Sequence, residues 1–378
     1  MTTAICRQLG IKYPIFAFSH CRDVVAAVSN AGGIGVYGGA LNTPEQVEID
    51  LRWIERQVGD KPYGIDLLLP MSYVEVSEEE KQARIPAEHR RFLDGMMQRF
   101  GVPPLDPNAD QLHGLLGDTK FTPEQNAAIL ELVFKYNPKV FVSALGTPPA
   151  QLIEKAHARG MLIGALAGKA KHAIRHKQAG VDFVVAASYE AGGHTGEIGS
   201  MVLVPEVADA VAPLPVLAAG GIGRGRQVAA ALALGAQGVW CGSVWLTSTE
   251  SDLLPVMKQK LLEAGSDETV RAKCFTGKYA RFLRTAWSDE WDRPEAPAPL
   301  PAPLQTALIA DYIERIAASA ASGKVDGSTG AGALITSPVG QIVGAMNVSL
   351  SAREIVREMM EEMTEATMRL TEVFEEAG

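Results

Sequence analysis

Eight short apolar runs punctuate the first 245 residues of the chain. They are Tyr13–Phe18, Ile34–Tyr37, Gly64–Leu69, Val140–Leu145, Leu162–Leu166, Phe183–Ala187, Val216–Ala219 and Gly238–Cys241. None alternates strictly between apolar and polar positions, which is the look of strands covered on both faces in a parallel sheet. Helical patterns separate them, at Arg22–Asn30, Pro44–Gln57, Thr122–Tyr136, Pro149–Arg159, Lys169–Gln178, Pro205–Val211 and Gly225–Leu234. Thr122 is the expected N-cap of the third of these, with Pro123 at the first helical position and Glu124 in the first turn. The fourth and fifth end at Gly160 and Gly180, a common stop signal. Eight strands with seven intervening helices, and an eighth helix near Leu253–Glu263, predict an α/β fold of the TIM (β/α)₈ barrel type. A doubly wound open sheet shares this alternation and is the competing arrangement.

Two regions exceed a minimal barrel. Pro70–Lys120, charged and punctuated by proline, reads as a helical insertion, lid or loop after the third strand. The barrel with its insertion is expected over residues 1–265, and an extension that packs on it over 266–378. Within the extension, Arg293–Pro303 is a proline-rich strap and Ser322–Gly332 a loop. Ser351–Glu376 reads as a terminal helix, with Ser351 as N-cap and Glu354 three residues on. Its stripe of Ile355, Met359, Met363, Leu370, Val373 and Phe374 is expected to pack on the barrel or on a dimer mate.

Composition narrows the function. The chain has 378 residues, 47% hydrophobic and 21% charged, ample for a large core. The net charge is −9 and no basic block occurs, which argues against nucleic acid as a partner. Cys6, Cys21, Cys241 and Cys274 form no Cys-x-x-Cys pair and stand at no zinc-ligand spacing, so no metal is expected, and a reduced cytoplasmic setting fits. No secretory signal or membrane-spanning apolar run is visible.

Chemistry concentrates in two segments. In Pro215–Trp245, the seventh strand ends in Gly220-Gly221 and the eighth in Cys241-Gly242-Ser243. In a barrel both turns lie on one rim, where a phosphate commonly binds. Glycine lets backbone N–H groups approach a phosphate, the following helix N-terminus adds a favourable dipole, and Ser243 adds a hydroxyl. In Phe183–Met201, the sixth strand runs into Glu190-Ala191-Gly192-Gly193-His194-Thr195-Gly196. This places His194, flanked by Gly192 and Gly193, on the same rim, with an imidazole able to exchange a proton near neutrality. His20 and Cys21 follow the first strand, with Cys21 reading as a buried small residue, and Lys169 follows the fifth. The glycines of Asn30–Gly39 lie before and after a strand, so they read as structural turns.

Taken in order, LGIKYPIFAF, AAVSNAGGIGVYGG, KPYGIDLLLP, VSALGTPP, QAGVDFVVAASYEAGGHTGE and VLAAGGIGRGRQVAAALALGAQGVWCGSVWL resemble the nitronate monooxygenase family, also called 2-nitropropane dioxygenase-like. They cover most of residues 9–247, and GQIVGAMN, ending at Asn347, resembles the family's C-terminal signature. That family is similar to flavin-dependent enoyl-ACP reductases and NADH:quinone reductases. The resemblance implies an FMN-binding barrel with His194 catalytic. It implies cofactor-binding roles for Gly192, Gly220, Gly221 and Trp240-Cys241-Gly242-Ser243, with Gly193 beside them. Two positions depart from the family pattern. The first strand ends in Ala17-Phe18-Ser19-His20 rather than a Pro-Met sequence. Asp66 stands where an Asn is common, so a carboxyl rather than an amide would lie beside the flavin and would oppose a negative reduced ring unless protonated or paired.

The leading expectation is an FMN-dependent monooxygenase taking a nitronate or similar small molecule and dioxygen. An NAD(P)H-dependent flavin reductase of quinones or enoyl thioesters, and a non-catalytic flavin-binding module, are the alternatives. A homodimer is an open option.

Overall fold

The computed structural model describes residues 2–69, 78–105, 123–322 and 326–375. Its strands in chain order are β1 (Ile15–Ser19), β2 (Ile34–Gly38), β3 (Gly64–Leu67), β4 (Val140–Ser143), β5 (Leu162–Ala167), β6 (Phe183–Ala187), β7 (Gly193–His194), β8 (Val216–Ala219), β9 (Gly238–Cys241), β10 (Thr269–Ala272) and β11 (Ala280–Leu283). Eight of them close into a barrel in the order β1-β2-β3-β4-β5-β6-β8-β9. Every neighbouring pair is parallel, and Phe16 against Trp240 and Ala17 against Cys241 seal the ring between β1 and β9. The expected barrel is therefore present, and the open-sheet alternative is not. The remaining three strands form a separate antiparallel sheet, β10-β11-β7.

Strand periodicity sends alternate side chains to opposite faces. Outward residues such as Ile15, Ala17, Ile65 and Ile163 pack under the helices. Inward residues such as Phe16, Val36, Val142, Phe183 and Trp240 fill the interior together with Ile5, Cys6 and Leu9 of the helix Ala4–Leu9. That helix closes the N-terminal end of the barrel, where the Ile5 amide donates to Gln237 Oε1 just before β9. Phe183 occupies the space that Gly164 leaves: a Cβ there would stand 2.4 Å from its ring.

The expected helices form within a few residues of their predicted bounds, and that of Pro205–Val211 begins earlier, at Ser200, with Pro205 inside it. The helix near Leu253–Glu263 forms as Pro255–Glu263, but it does not take the eighth helix position of the barrel. Met257 and Leu261 pack instead in a second apolar cluster with Phe282, Trp287, Ile309 and Val343. The place between Gly225–Ala233 and Arg22–Ala31 is held by the terminal helix, Ala352–Glu375. Ser351 and Glu354 make the expected reciprocal cap: the Ser351 amide donates to Glu354 Oε2 at 2.8 Å, and the Glu354 amide donates to Ser351 Oγ at 3.2 Å. Ile355, Met359 and Met363 are buried on the barrel, whereas Leu370 and Val373 are exposed. The approach is close enough that a Cβ at Gly225 would stand 2.0 Å from the Met359 carbonyl oxygen. Only glycine fits there, which accounts for one residue of the GRGR sequence.

Of the insertion, the described part holds two helices, Glu78–Arg84 and Ala87–Arg99, the second packing Leu93, Met96 and Met97 into the second cluster. The remainder of Pro70–Lys120, the Thr122 cap, the middle of the Ser322–Gly332 loop and the side chain of Phe374 lie outside the described residues.

Candidate functional site at the barrel mouth

The C-terminal ends of the barrel strands meet at a mouth whose floor is aromatic. Trp240 points inward and stacks near Phe18, with centroids 6.0 Å apart, and near Phe16 at 6.4 Å. Asp66 also points inward, because Ile65 and Leu67 on either side of it pack outward. It sits in register between Gly38 and Val142 and is 3% exposed. Burial alone raises its pKa well above the ordinary carboxylate value, which favours the neutral form. A protonated carboxyl can donate, as the amide of an Asn does.

His20 leans over the end of β2. Its Nδ1 lies 2.8 Å from the Gly38 carbonyl oxygen, which only accepts, so Nδ1 carries the proton. Its ring meets Phe18 edge-on at 5.1 Å, and desolvation lowers its pKa. Cys21 is buried, its thiol donating to the Glu250 carbonyl at 3.2 Å and pushed up to about 11 by burial.

His194 is carried by β7, paired with β11 so that it faces Ala280 in register. Its Nδ1 lies 3.2 Å from the Tyr279 carbonyl oxygen. That contact again fixes the proton on Nδ1 and leaves Nε2 as the acceptor. The side chain reaches solvent, yet protein crowds it. Desolvation, and secondarily the charge of Lys278, lower its pKa despite the opposing hydrogen bond to Tyr279. The imidazole is therefore neutral at physiological pH.

Gly220 and Gly221 end β8 with φ of 108° and 69°, a left-handed conformation that favours glycine. A Cβ on Gly220 would fall 2.2 Å from Ser188 Oγ. Ser188 is fully buried, and its hydroxyl has no hydrogen-bond partner. Gly242 and Ser243 end β9 close by. Ser243 Oγ accepts from the Gly340 amide at 2.8 Å, so its own hydrogen is free to be donated. The Cys241 side chain packs outward among the helix-facing residues, with its thiol raised to about 12, and only its backbone turns toward the rim.

One part of the expected phosphate cradle is already spent. The N-terminus of Gly225–Ala233 does not face the mouth as a free dipole, because Glu362 of the terminal helix takes the Gly225 amide at 2.7 Å. The Gly223 and Arg224 amides donate to Gln227 Oε1, both at 2.9 Å. The carboxylate wins this position because it is supplied within the fold, backed by Arg224 and Arg226. Gly192 likewise serves a close approach: a Cβ there would stand 2.7 Å from the backbone of Val339, where the segment Ser337–Gln341 crosses the mouth. That segment is tied down by the Gln341 amide donating to the Glu190 carbonyl at 2.9 Å.

Sequence reasoning missed the sheet β10-β11-β7. Arg281 is 3% exposed and donates from Nε and Nη2 to the Tyr189 carbonyl and from Nη1 to Thr269 Oγ1. Arg271 donates from Nε to Thr195 Oγ1 at 3.1 Å, with its guanidinium over Tyr279 at 4.6 Å and Tyr189 at 5.6 Å. Lys169, by contrast, forms an exposed pair with Glu197. Among the described residues no group of three or more His, Cys, Asp or Glu side chains is placed to hold a metal, and no helix is long and apolar enough to cross a membrane.

Residues 3–362 match the family described as nitronate monooxygenase. A candidate monooxygenase of Mycobacterium tuberculosis (strain ATCC 25618 / H37Rv) is 51% identical over 377 residues, covering 98% of each chain. A candidate nitronate monooxygenase of Staphylococcus aureus (strain Newman) is 30% identical over 312 residues, covering 78% of this chain and 82% of its own. Among solved structures, nitroalkane oxidase from Streptomyces ansochromogenes is 25% identical with a TM-score of 0.77, covering 97% of this chain and 100% of that one. FabK from Thermotoga maritima is 25% identical with a TM-score of 0.72, covering 99% of each.

Proposed function

The chain belongs to the nitronate monooxygenase family and is an oxidoreductase of that type, and from that premise we propose that it is FMN-dependent and oxidises alkyl nitronates and nitroalkanes with dioxygen. The observation that carries the reading is the hydrogen bond between His194 Nδ1 and the Tyr279 carbonyl, which leaves an unprotonated Nε2 without a protein partner.

The residues at the mouth fit FMN. The left-handed turn at Gly220-Gly221, the unpartnered Ser188 hydroxyl and the free hydrogen of Ser243 would hold its phosphate, with backbone at Gly193, Cys241 and Gly242 beside them. Trp240 and Phe18 would form the apolar floor, and neutral Asp66 would donate a hydrogen bond to the ring. FMN, when bound, supplies the electron-accepting chemistry that side chains lack.

The chain's own contribution is proton transfer and placement. His194 Nε2 removes the α-proton of a neutral nitroalkane and so generates the nitronate in place. A neutral imidazole with its lone pair outward gains nothing from an anionic nitro group, so the base role is the one its protonation state supports. Once protonated, the same ring becomes a cation beside the nitronate and retains it.

Anaerobic mixing tests the reading. The purified yellow protein should lose its visible flavin absorbance with a nitronate and regain it with dioxygen. Bleaching by NADH or NADPH, with no response to nitronates, would replace this reading with the reductase. No response to either would leave a binding role.

A further inference from the structure

The helix Pro255–Glu263 carries a lysine that the chemistry at the mouth does not use. Lys260 is half-buried, and its Nζ lies 3.3 Å from the Ile335 carbonyl oxygen and 3.5 Å from that of Ala333. Both carbonyls stand at the end of the short helix Gly330–Leu334. The turn at Gly327 lies against the lysine stem, where a Cβ would stand 3.5 Å from Lys260 Cε. Among the described residues no carboxylate pairs with this side chain. Glu263, on the same helix, accepts from Gln259. Asp326, beside Gly327, accepts from the Ser328 amide and hydroxyl. Lys258, the other lysine of the helix, donates to the Ser248 and Ser251 carbonyls.

Counting donors shows which form the surroundings suit. An ammonium has three N–H donors, and the protein offers Lys260 two acceptors and no counter-charge. A neutral amine has two N–H bonds, which the two carbonyls take, and one lone pair left over. Burial accordingly lowers the Lys260 pKa to about 8. A desolvated lysine of this kind is a nucleophile.

Its position gives that reactivity a consequence. Thr336 alone separates Ile335 from the segment Ser337–Gln341 that crosses the mouth. In that segment the Gly340 amide donates to Ser243 Oγ and the Gln341 amide to the Glu190 carbonyl. Lys260 thus holds the chain at its approach to the mouth.

We propose that Lys260 is an acylation site, at which an acyl phosphate transfers its acyl group to Nζ and thereby loosens the segment crossing the mouth. The Nζ lone pair attacks the acyl carbon and a C–N bond forms. The bond from that carbon to the bridging oxygen breaks, its electron pair leaves with phosphate, and one amine proton passes to water. The product amide keeps a single N–H, so either Ala333 or Ile335 loses its donor. The added acyl group also needs room where Gly327 now lies against the stem.

Acetyl phosphate added to the native protein tests the reactivity, with Nα-acetyl-lysine in the same tube as standard and mass spectrometry as readout. Near neutral pH, Lys260 should be acetylated about ten-fold faster than the standard, the net of a larger neutral fraction and a weaker nucleophile. Its rate should level off above about pH 8, while that of the standard keeps rising. Unfolding in urea should abolish the excess. A rate no greater than the standard's, a parallel rise with pH, or an excess that survives urea would each overturn the proposal.

Hydrogen exchange reads the effect on the mouth without calling on flavin or nitronate, so its outcome is independent of the proposed function. In acetylated protein the amides of Gly340 and Gln341 should exchange about two- to ten-fold faster than in untreated protein, the scale of one lost hydrogen bond. Lys260→Arg, which presents no amine to the acyl group, should keep its own untreated exchange rate after the same exposure. Unchanged exchange in the acetylated native protein, or an equal acceleration in Lys260→Arg, would overturn the proposal.

Discussion

At its N-terminal end the barrel is filled by Phe16, Leu162 and Phe183 over Ile5, Cys6 and Leu9. At its C-terminal end the same strands, and the loops that follow them, carry Asp66, His20 and His194, with Arg271 nearby. Both ends belong to one continuous set of parallel strands, so the contrast is not one of architecture. The closed end is bound by packing, in which each side chain is replaceable by another of its volume. The open end holds polar groups in unfavourable surroundings: a carboxyl whose pKa burial raises, two imidazoles with lowered pKa values and a hydroxyl without a partner. Such groups destabilise the fold locally and are what a site for chemistry requires.

The largest effect that would sharpen this contrast is at His194. His194→Asn should retain flavin and melting temperature while turnover of nitroalkanes falls about 10²- to 10⁴-fold, the usual scale of general-base catalysis. Because the folded pKa is lowered below 6.5, the base form is present above that lowered value, and activity on nitroalkanes should fall as the pH drops through it. Preformed nitronates should lack this inflection in a pH–rate series. If turnover stays within a few-fold of native, His194 is not the base.

Phe183→Ala should do the reverse. It opens a cavity at the closed end and should cost about 3–5 kcal/mol by denaturant unfolding, with little change in KM. Intact stability would mean that the end relaxes around the gap.

The smallest effect is at Asp66. The unfolded side chain ionises above the usual 3.8, whereas the folded one stays neutral. Stability should therefore drain away as the pH rises from that value toward the raised folded pKa. Asp66→Asn removes this loss, so its melting temperature should gain on native as the pH rises above about 4. A constant difference across that range would mean that Asp66 is not held neutral.

The eight barrel strands were legible because each is an apolar run between turn signals, buried on both faces. His194 and the glycines of the rim were legible because they follow those runs directly. The sheet β10-β11-β7 was not. β7 is two residues long, and β10 and β11 carry Arg271 and Arg281 at positions where a strand pattern calls for apolar residues. Tyr279 and Gly340, which orient His194 and Ser243, come from 85 and 97 residues along the chain, and local pattern carries no record of such a meeting. The eighth helix was misplaced for a related reason. Sequence proximity favoured Leu253–Glu263, whereas the deciding feature is a Gly225 with room for no Cβ and a Glu362 that caps its amide.

That long return has a consequence for how the protein is made. During synthesis, all eight staves of the barrel leave the ribosome before the helix that covers the seam between the first and the last of them. More than a hundred residues separate β9 from Ala352–Glu375, so the nascent cylinder waits with the faces of Arg22–Ala31 and Gly225–Ala233 that meet this helix bare until it is made, and a chain released early would expose them to its neighbours.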